Sequence, residues 1–410
     1  MWRGVALSCA LLSAACGGAP SAEVGGTSAD DRPAATAATV EVIEVLVERG
    51  EQEAFQEAAT GDTLEEGDVV RTDPIGFAAI DYIDGSLARL GPSSTLTVVA
   101  LADQAGPVDT RVDLDAGRLW SRVEDVTESE GRYEVGTPVG VAAVRGTVFD
   151  VSCLPDRCTF SVFEGAVDVT LPDGTVIRIE EGRSLEVVAG VDPGDPLDLP
   201  ADGAPPDPWV GDNQARDSQR DLEAAGGATT VTVAGNDNPW LAGMPDGTQT
   251  RGDNVPEHAP TEVGGLELTA GQELMFVATG ATSNGGAADP PGTPDGDGPF
   301  ARGEEFGISG VTAPLNGLIG VFLGDEPPDA TPAPATLDFS TPETRDFDVL
   351  EPELEQSLFI GNGLREDGTP HRIVVPEGAT RLFLGSLDGY GWYNNSGEFT
   401  VVVATASAEG

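Results

Sequence analysis

Short runs of alternating apolar and polar residues, separated by turn signals, fill the chain from residue 40 to residue 188. Residues 76–90 are typical, because two alternating runs meet there at Asp84-Gly85. A period of two places successive side chains on opposite faces of a strand, and no long stretch has the period of a helix. Gly-Asp and Asp-Gly pairs between the runs indicate tight turns. The pattern therefore predicts an all-β fold whose strands each bury one face.

The C-terminal half repeats this signal with longer, glycine-rich connections. Apolar runs typical of strands stand at residues 313–323, 381–385 and 398–403. A chain of 410 residues is long enough for two or three domains. We therefore expect two β-rich domains, at residues 40–190 and 229–405, with at most one or two short helices.

A linker rich in Pro and Asp is predicted between these domains, at residues 191–228. Its second part, from Trp209 to Ala225, is the segment best suited to a helix. The apolar side chains of Trp209, Ala215 and Leu222 are expected to dock this helix on the first domain.

The chain is strongly acidic, with 70 Asp and Glu residues against 21 basic residues and a net charge of −49. Every basic residue other than histidine is an arginine. Such a surface repels nucleic acids and anionic lipid headgroups. It suits a saline environment, where salt screens the self-repulsion, and it is equally typical of an acidic, GC-rich proteome. We therefore expect no nucleic-acid partner.

The N-terminus has the pattern of a targeting segment. Arg3 provides a positive start, and residues 5–12 form an apolar run too short to span a bilayer. Ser13-Ala-Ala-Cys16 follows, with small residues before a cysteine, and it resembles a bacterial lipobox. The resemblance implies a lipoprotein signal peptide at residues 1–16, lipidation of Cys16 and a flexible tether at residues 17–39. The alternative is an ordinary secretory signal that ends near Ala15.

Export and a lipid anchor would place the protein at the bacterial cell envelope, facing outward or into the periplasm. The anchor would then be its only membrane contact. Cysteine usage agrees with export, because Cys153 and Cys158 flank a Pro-Asp turn in a predicted hairpin. A disulfide is expected there, since the two strands place the cysteines nearly opposite each other. A metal site is the alternative, but no further Cys or His lies near this pair.

Residues 40–190 resemble the FecR domain. The strongest mark is Arg145-Gly-Thr147, for which we expect a structural role. In the best-known FecR proteins this domain follows a cytoplasmic sigma-factor-binding segment and a membrane-spanning helix. The sequence predicts neither feature, so the resemblance implies an exported interaction module. The matching stretches are Gly61-Asp62, residues 66–72, Asp84-Gly-Ser86, residues 114–119, Thr137-Pro-Val-Gly140 and residues 144–151.

The loop from Asp388 to Gly397 combines a carboxylate, two adjacent side-chain amides and several glycines between two predicted strands. Carboxylate, amide and backbone oxygens are the ligands that calcium prefers. The loop therefore indicates a calcium site, and calcium in such a loop can hold a sugar through two ring hydroxyls. The alternative is a turn that only connects two strands.

Residues 229–405 resemble the calcium-dependent galactose-binding lectins of the PA-I type, which implies a galactose-binding or jelly-roll-like β-sandwich. The matching stretches are residues 277–285, 294–296, 313–323 and 388–403. The resemblance implies calcium ligation by the side chains of Asp388, Asn394 and Asn395. It also implies ligation by the backbone carbonyl of Asn284 and by that of Tyr390 or Gly391.

This sequence departs from the lectin pattern in two places. The spacing from Asp388 to Asn394 is one residue shorter, and the sugar-contacting His and Gln of the family fall near Gly303 and Phe306. Galactose specificity is therefore not expected. Tyr390, Trp392 and Tyr393 beside the loop are the candidate residues for stacking on a sugar. An insertion at residues 325–350 has no counterpart in the resemblance.

No catalytic motif stands out, since the chain has only two histidines and no nucleophile elbow, P-loop or zinc-protease signature. We therefore expect a protein that is not an enzyme. Three functions remain open. The first is a calcium-assisted, glycan-binding cell-surface lipoprotein. The second is a structural or protein-interaction lipoprotein without sugar binding, whose partner would be an envelope protein. The third is a FecR-type envelope signalling component. Nothing in the sequence predicts an oligomeric state.

Overall fold

The structure, a computed structural model, describes residues 38–44, 47–50, 55–101, 109–124, 132–199, 207–253, 258–285 and 291–406. Strands dominate these residues, and the α-helices among them are α1 (Pro208–Ala225) and α2 (Pro342–Arg345). This content confirms the all-β prediction. Single turns of 3₁₀-helix occur at Pro239–Leu241, Pro328–Ala330 and Trp392–Asn394. No helix in the described ranges is long and apolar enough to cross a membrane.

The N-terminal strands form one continuous sheet that folds into two layers around a shared core. They are β1 (Ala38–Glu44), β2 (Val47–Gly50), β3 (Gln56–Glu57), β4 (Asp62–Thr63), β5 (Val69–Thr72), β6 (Phe77–Tyr82), β7 (Leu87–Leu90), β8 (Thr95–Ala100), β9 (Asp109–Val123), β10 (Arg132–Thr137), β11 (Gly140–Val144), β12 (Thr147–Leu154), β13 (Arg157–Glu164), β14 (Ala166–Thr170), β15 (Val176–Glu180), β16 (Arg183–Val188) and β17 (Leu197–Asp198).

The long strand β9 connects the two layers, and it changes partners at Gly117. Before Gly117, β9 pairs with β8 and runs parallel to β10; from Gly117 onward it pairs with β7 and β12. Gly117 has a φ of +96°, and a Cβ there would lie 2.3 Å from Ser94 Oγ. A residue without a side chain is therefore required where the strand crosses between layers.

The alternation predicted from the sequence fills the core of this first domain. Val112 and Leu114 point inward from the first half of β9, whereas Leu119 does so from the second half, and all three are fully buried. Phe149 and Phe160, from the hairpin β12–β13, occupy the same cluster. The disulfide between Cys153 and Cys158 lies in this hairpin, where the two residues are directly paired.

The C-terminal strands form three sheets. Sheet C has the order β18-β29-β20-β27-β25, sheet D the order β19-β28-β23-β26, and sheet E the order β21-β22-β24. The strands are β18 (Thr229–Ala234), β19 (Thr261–Glu262), β20 (Glu273–Ser283), β21 (Pro299–Arg302), β22 (Val311–Pro314), β23 (Leu318–Leu323), β24 (Leu337–Asp338), β25 (Val349–Leu350), β26 (Leu358–Phe359), β27 (Arg372–Val374), β28 (Arg381–Ser386) and β29 (Ser396–Thr405).

Sheets C and D face each other across one hydrophobic core. Phe276 on β20 and Phe399 on β29 meet Phe322 on β23 in this cluster. On the other face of sheet D, Ile319 and Val321 join a second cluster, which includes residues of sheet E. Alternate residues of β23 therefore serve two cores, which explains why this strand is apolar throughout.

Helix α1 contacts both domains, so the predicted docking on the first domain alone is wrong in part. Trp209 does contact the first domain, with its ring 5.4 Å from that of Phe77. Ala215 and Leu222 instead pack on the outer face of sheet C, in a cluster with Val277 and Val402. The helix presents different faces to the two domains, because Ala215 and Leu222, seven positions apart, project from the same side of the helix, whereas Trp209 projects from another.

Candidate functional site

The loop between β28 and β29 places Asp388 at the end of the apolar strand β28. Asp388 is only 8% exposed, and its Oδ1 accepts a hydrogen bond of 3.3 Å from the backbone amide of Tyr390. Burial raises the pKa of the Asp388 carboxyl, while hydrogen bonds from the Asn395 side chain and from the amides of Gly389 to Gly391 oppose that rise. A cation beside the carboxylate would offset the cost of burying it.

The paired asparagines connect this loop to other parts of the C-terminal domain. Asn394 donates through Nδ2 to the carbonyl of Asn284 at 2.8 Å, and Asn395 donates through Nδ2 to the carbonyl of Gly235 at 2.9 Å. Asn395 Oδ1 is buried and accepts no hydrogen bond from any described residue. The fold thus brings Asn284, Asn394, Asn395 and Asp388 together, although they are up to 111 positions apart in the sequence.

A hard cation fits the donor set of this loop. Asp388 supplies the carboxylate, and the buried Oδ1 of Asn395 is an oxygen without a partner among the described residues. Asn394 and Asn284 contribute an amide and a backbone carbonyl, and the carbonyls of Tyr390 and Gly391 lie in the same loop. The part of the chain that the structure describes contains no cluster of three or more Asp, Glu, His or Cys residues suited to a metal. The site would therefore rely mainly on neutral oxygens, which calcium accepts.

The three aromatic residues of the loop have different environments. Tyr390 is 46% exposed and Tyr393 is 64% exposed, so both present ring surface to solvent beside Asp388. Trp392 is fully buried, its Nε1 donates to the carbonyl of Ser386 at 3.1 Å, and its ring lies 6.0 Å from that of Trp240. The prediction that Trp392 contacts a sugar is therefore wrong, because this side chain belongs to the core.

Arg302 is a residue of the site that the sequence analysis missed. Its guanidinium carbon lies 5.0 Å from the centre of the Tyr390 ring and 4.8 Å from that of Trp240, and its side chain forms an ion pair with Glu305. The arginine is 4% exposed, so it contacts the Tyr390 ring from the protein interior. The sequence could have indicated Arg302 as a site residue, because it directly precedes Gly303, in the stretch where the lectins carry their sugar contacts.

Gly303 and Phe306, which stand where the lectins carry their sugar-contacting His and Gln, cannot make the same hydrogen bonds. Gly303 has no side chain, and Phe306 is apolar and has a positive φ of 52°. Glu305, between them, already pairs with Arg302 and accepts a hydrogen bond of 2.6 Å from the backbone amide of Arg251. This loop is therefore held by its own protein contacts.

Two further predicted residues lie outside this loop. Cys16 lies outside the described residues. Arg145 is exposed and forms no side-chain ion pair or hydrogen bond with a described residue, so its side chain does not have the structural role expected for this stretch. The hydroxyl of its neighbour Thr147 has that role instead, and donates to the carbonyls of Arg145 and Ala166 at 3.2 and 3.1 Å.

Comparison with known proteins supports the FecR part of the chain most directly. Residues 68–168 match the family model described as FecR protein. This match confirms the FecR resemblance within the predicted range of residues 40–190. Among curated proteins, none matches the chain in sequence.

Solved structures provide only distant similarities. Two crystal structures of a candidate anti-sigma factor from Parabacteroides distasonis share 17% and 16% identity with the chain, each with a TM-score of 0.29. They align with 35% and 38% of this chain, which spans 64% and 72% of theirs. The N-terminal domain of EclA, a PllA-like lectin, has 19% identity and a TM-score of 0.23, covering 43% of this chain and 96% of its own. Similarities this low carry no structural argument here.

Proposed function

We propose that the C-terminal domain binds glycans, with calcium held in the loop around Asp388. The observation that carries this proposal is the pair of exposed tyrosines, Tyr390 and Tyr393, beside a buried carboxylate and an amide oxygen without a partner among the described residues. Exposed aromatic rings next to polar groups are a common arrangement in ligand sites.

The chemistry of the site divides between the cation and the side chains. Bound calcium would supply positive charge that accepts two neighbouring ring hydroxyls of a sugar. Asp388, Asn394 and Asn395 would hold that charge with their oxygens, together with the carbonyl of Asn284. The rings of Tyr390 and Tyr393 would cover the apolar face of the sugar. Gly303 and Phe306 offer no side-chain hydrogen bond, so the specificity would differ from that of the galactose-binding lectins.

The whole chain would then be a non-enzymatic lipoprotein of the bacterial envelope, exported and anchored through Cys16. Its FecR-like domain would serve as an interaction module, and the C-terminal domain would recognise extracellular or envelope glycans. Its net charge of −49 argues against nucleic acid as a partner.

The calcium part is tested by thermal unfolding of the full chain in high salt, with magnesium as the ion control. A ligand that binds only the folded state stabilises it by about 2.7 kcal/mol at a hundredfold excess over its Kd. Calcium should raise the Tm of the parent, and Asp388→Ala should abolish the rise. Asp246→Ala is the matched control, because Asp246 is exposed in the same domain and its substitution removes the same charge. A full calcium shift in Asp388→Ala would place the cation elsewhere.

Glycan binding is tested on a glycan array with and without a chelator. Tyr390→Ala and Tyr393→Ala should lose glycan binding but keep the calcium shift, since neither side chain is a proposed ligand. A calcium shift with no glycan bound would favour the second candidate function, a structural or protein-binding module. The loop around Gly303 supports that alternative, because the carboxylate of Glu305 already pairs with Arg302.

A further inference from the structure

A groove of about 710 Å³ crosses the outer face of four neighbouring strands of the FecR-like domain, β10, β11, β14 and β15. Its size is that of a site for a small ligand or a short peptide. Ala143 and Ala166 line the middle of the groove, so the strand backbones can be approached closely there. The groove lies in a different domain from the proposed glycan site.

Two arginines in this groove have no partner among the described residues. Tyr133 on β10 pairs with Val144 on β11 in an antiparallel ladder, so Arg132 and Arg145 are neighbours across the two strands. Both are exposed, and both line the groove. Asp109 on β9 lies beside Arg132 in the parallel pairing of β9 with β10, yet no ion pair joins their side chains. Like charges in such neighbouring positions repel and destabilise a sheet.

The absence of ion pairs is unusual within this acidic chain. Among the arginines whose side chains the structure describes, Arg132, Arg145 and Arg251 alone form no side-chain ion pair, hydrogen bond or ring contact with a described residue. Two of these three meet in one groove, although the chain has 70 acidic residues that could neutralise them. Two adjacent guanidinium groups are a suitable site for a carboxylate, which they bind with paired, charge-assisted hydrogen bonds.

The carboxylates that line the groove form ion pairs with other arginines. Arg178 pairs with Asp168 at 3.3 Å and with Glu180 at 2.7 Å, while Glu134 lies 3.8 Å from Arg111. The three arginines and three carboxylates that line the groove sum to zero charge, but no ion pair joins Arg132 or Arg145 to these carboxylates. They remain available as acceptors for N–H groups of a ligand.

We propose that this groove binds an extended acidic segment of a partner protein. Glu or Asp side chains of the segment would pair with Arg132 and Arg145, and its backbone amides would donate to Glu134 and Glu180. Ala143 and Ala166 would let its backbone lie against the sheet. A peptide fits this lining because it offers both carboxylates and N–H donors, whereas an acidic polysaccharide offers carboxylates with hydroxyl groups.

The probe is a fluorescently labelled peptide of alternating Glu and Gly, compared with the same peptide carrying Gln in place of Glu. Binding to the full chain is measured by fluorescence anisotropy at physiological salt, where the Debye length of about 8 Å screens the general repulsion from an acidic protein. The parent should prefer the Glu peptide over the Gln peptide by about tenfold or more.

The double substitution Arg132→Gln/Arg145→Gln should weaken binding of the Glu peptide by about tenfold, as expected for two solvent-accessible ion pairs. Arg157→Gln/Arg183→Gln is the matched control, since both arginines are exposed in the same domain outside the groove and remove the same charge. The control should stay within about twofold of the parent. All variants should keep the parent Tm, because the replaced side chains are exposed.

Three results would overturn the proposal. The parent could bind both peptides equally, or the two double variants could weaken binding to the same extent, which would assign the effect to net charge. A chain that binds an oligomer of uronic acid but not the Glu peptide would assign the groove to a glycan.

Discussion

Arg89 on β7 and Asp217 on α1 form a buried ion pair of 2.7 Å, although 128 positions separate them in the sequence. The second oxygen of Asp217 accepts a hydrogen bond of 2.9 Å from Trp120 Nε1. One carboxylate therefore joins two strands of the first domain to the helix, and it leaves neither buried donor without an acceptor.

Removal of this carboxylate should destabilise the protein strongly. Asp217→Ala leaves the buried guanidinium of Arg89 without its carboxylate and the indole N–H of Trp120 without an acceptor, which should lower the free energy of unfolding by about 3 kcal/mol. Denaturant unfolding followed by tryptophan fluorescence measures this loss. Asp221→Ala breaks the more exposed pair with Arg122 and should cost less than about 1 kcal/mol. Equal losses in the two variants would contradict the prediction.

Removal of the disulfide should have a moderate effect. Cys153 and Cys158 are five positions apart, so their bridge closes a short loop and should contribute about 2 kcal/mol. The variant Cys153→Ala/Cys158→Ala should lose that amount in chemical unfolding. A reductant should destabilise the parent and leave the variant unchanged. The same response to reductant in both proteins would argue against the bridge.

Gly117 should tolerate no side chain, whereas another glycine with positive φ should tolerate one. At Gly117 a Cβ would lie 2.3 Å from Ser94 Oγ, while at Gly174, with a φ of +88°, no atom lies within 4 Å. Gly174→Ala should cost about 1 kcal/mol through backbone strain alone. Gly117→Ala adds a clash inside the sheet and should cost at least about 3 kcal/mol. Thermal unfolding of both variants checks the difference, and a smaller loss at Gly117 would be inconsistent with it.

Gln219 should couple α1 to the C-terminal domain. Its Nε2 donates to the carbonyl of Val277 at 3.0 Å and to that of Thr400 at 2.9 Å. Gln219→Ala should cost about 1 to 2 kcal/mol, because these two hydrogen bonds are lost at a partly buried surface. Hydrogen exchange of the α1 amides should become faster as a result. Unchanged exchange would show that the hydrogen bonds of Gln219 do not hold the helix.

Acid should weaken the protein through His371. Burial lowers the pKa of this imidazole from its ordinary value of 6.5, and its ring stacks on Phe347 with 4.3 Å between centroids. The unfolded chain therefore binds a proton at His371 more readily than the folded chain does. The contribution of neutral His371 to the free energy of unfolding is complete above pH 6.5 and declines as the pH falls toward the lowered pKa. His371→Gln should flatten the pH dependence of the Tm below pH 6.5. A slope equal to the parent's would assign it to other groups.

Local features of the fold and of the site could be predicted from the sequence. Alternating runs predicted the strands, and the Pro-Asp turn predicted the hairpin that pairs Cys153 with Cys158. The loop around Asp388 was recognisable because its carboxylate, amides and glycines stand close together in the chain. These signals are local, since strand periodicity and turn chemistry depend on a few neighbouring residues.

The environment of each side chain depended on the tertiary structure. Trp392 and Tyr393 are neighbours in one loop, yet Trp392 packs on Trp240 while Tyr393 faces solvent. Nothing local distinguishes them, because their burial depends on a segment about 150 positions earlier. The packing of Leu222 on sheet C, the pairing of Arg89 with Asp217 and the support of Tyr390 by Arg302 have the same origin. Each is a contact between segments distant in sequence, and only the folded chain decides which surfaces meet.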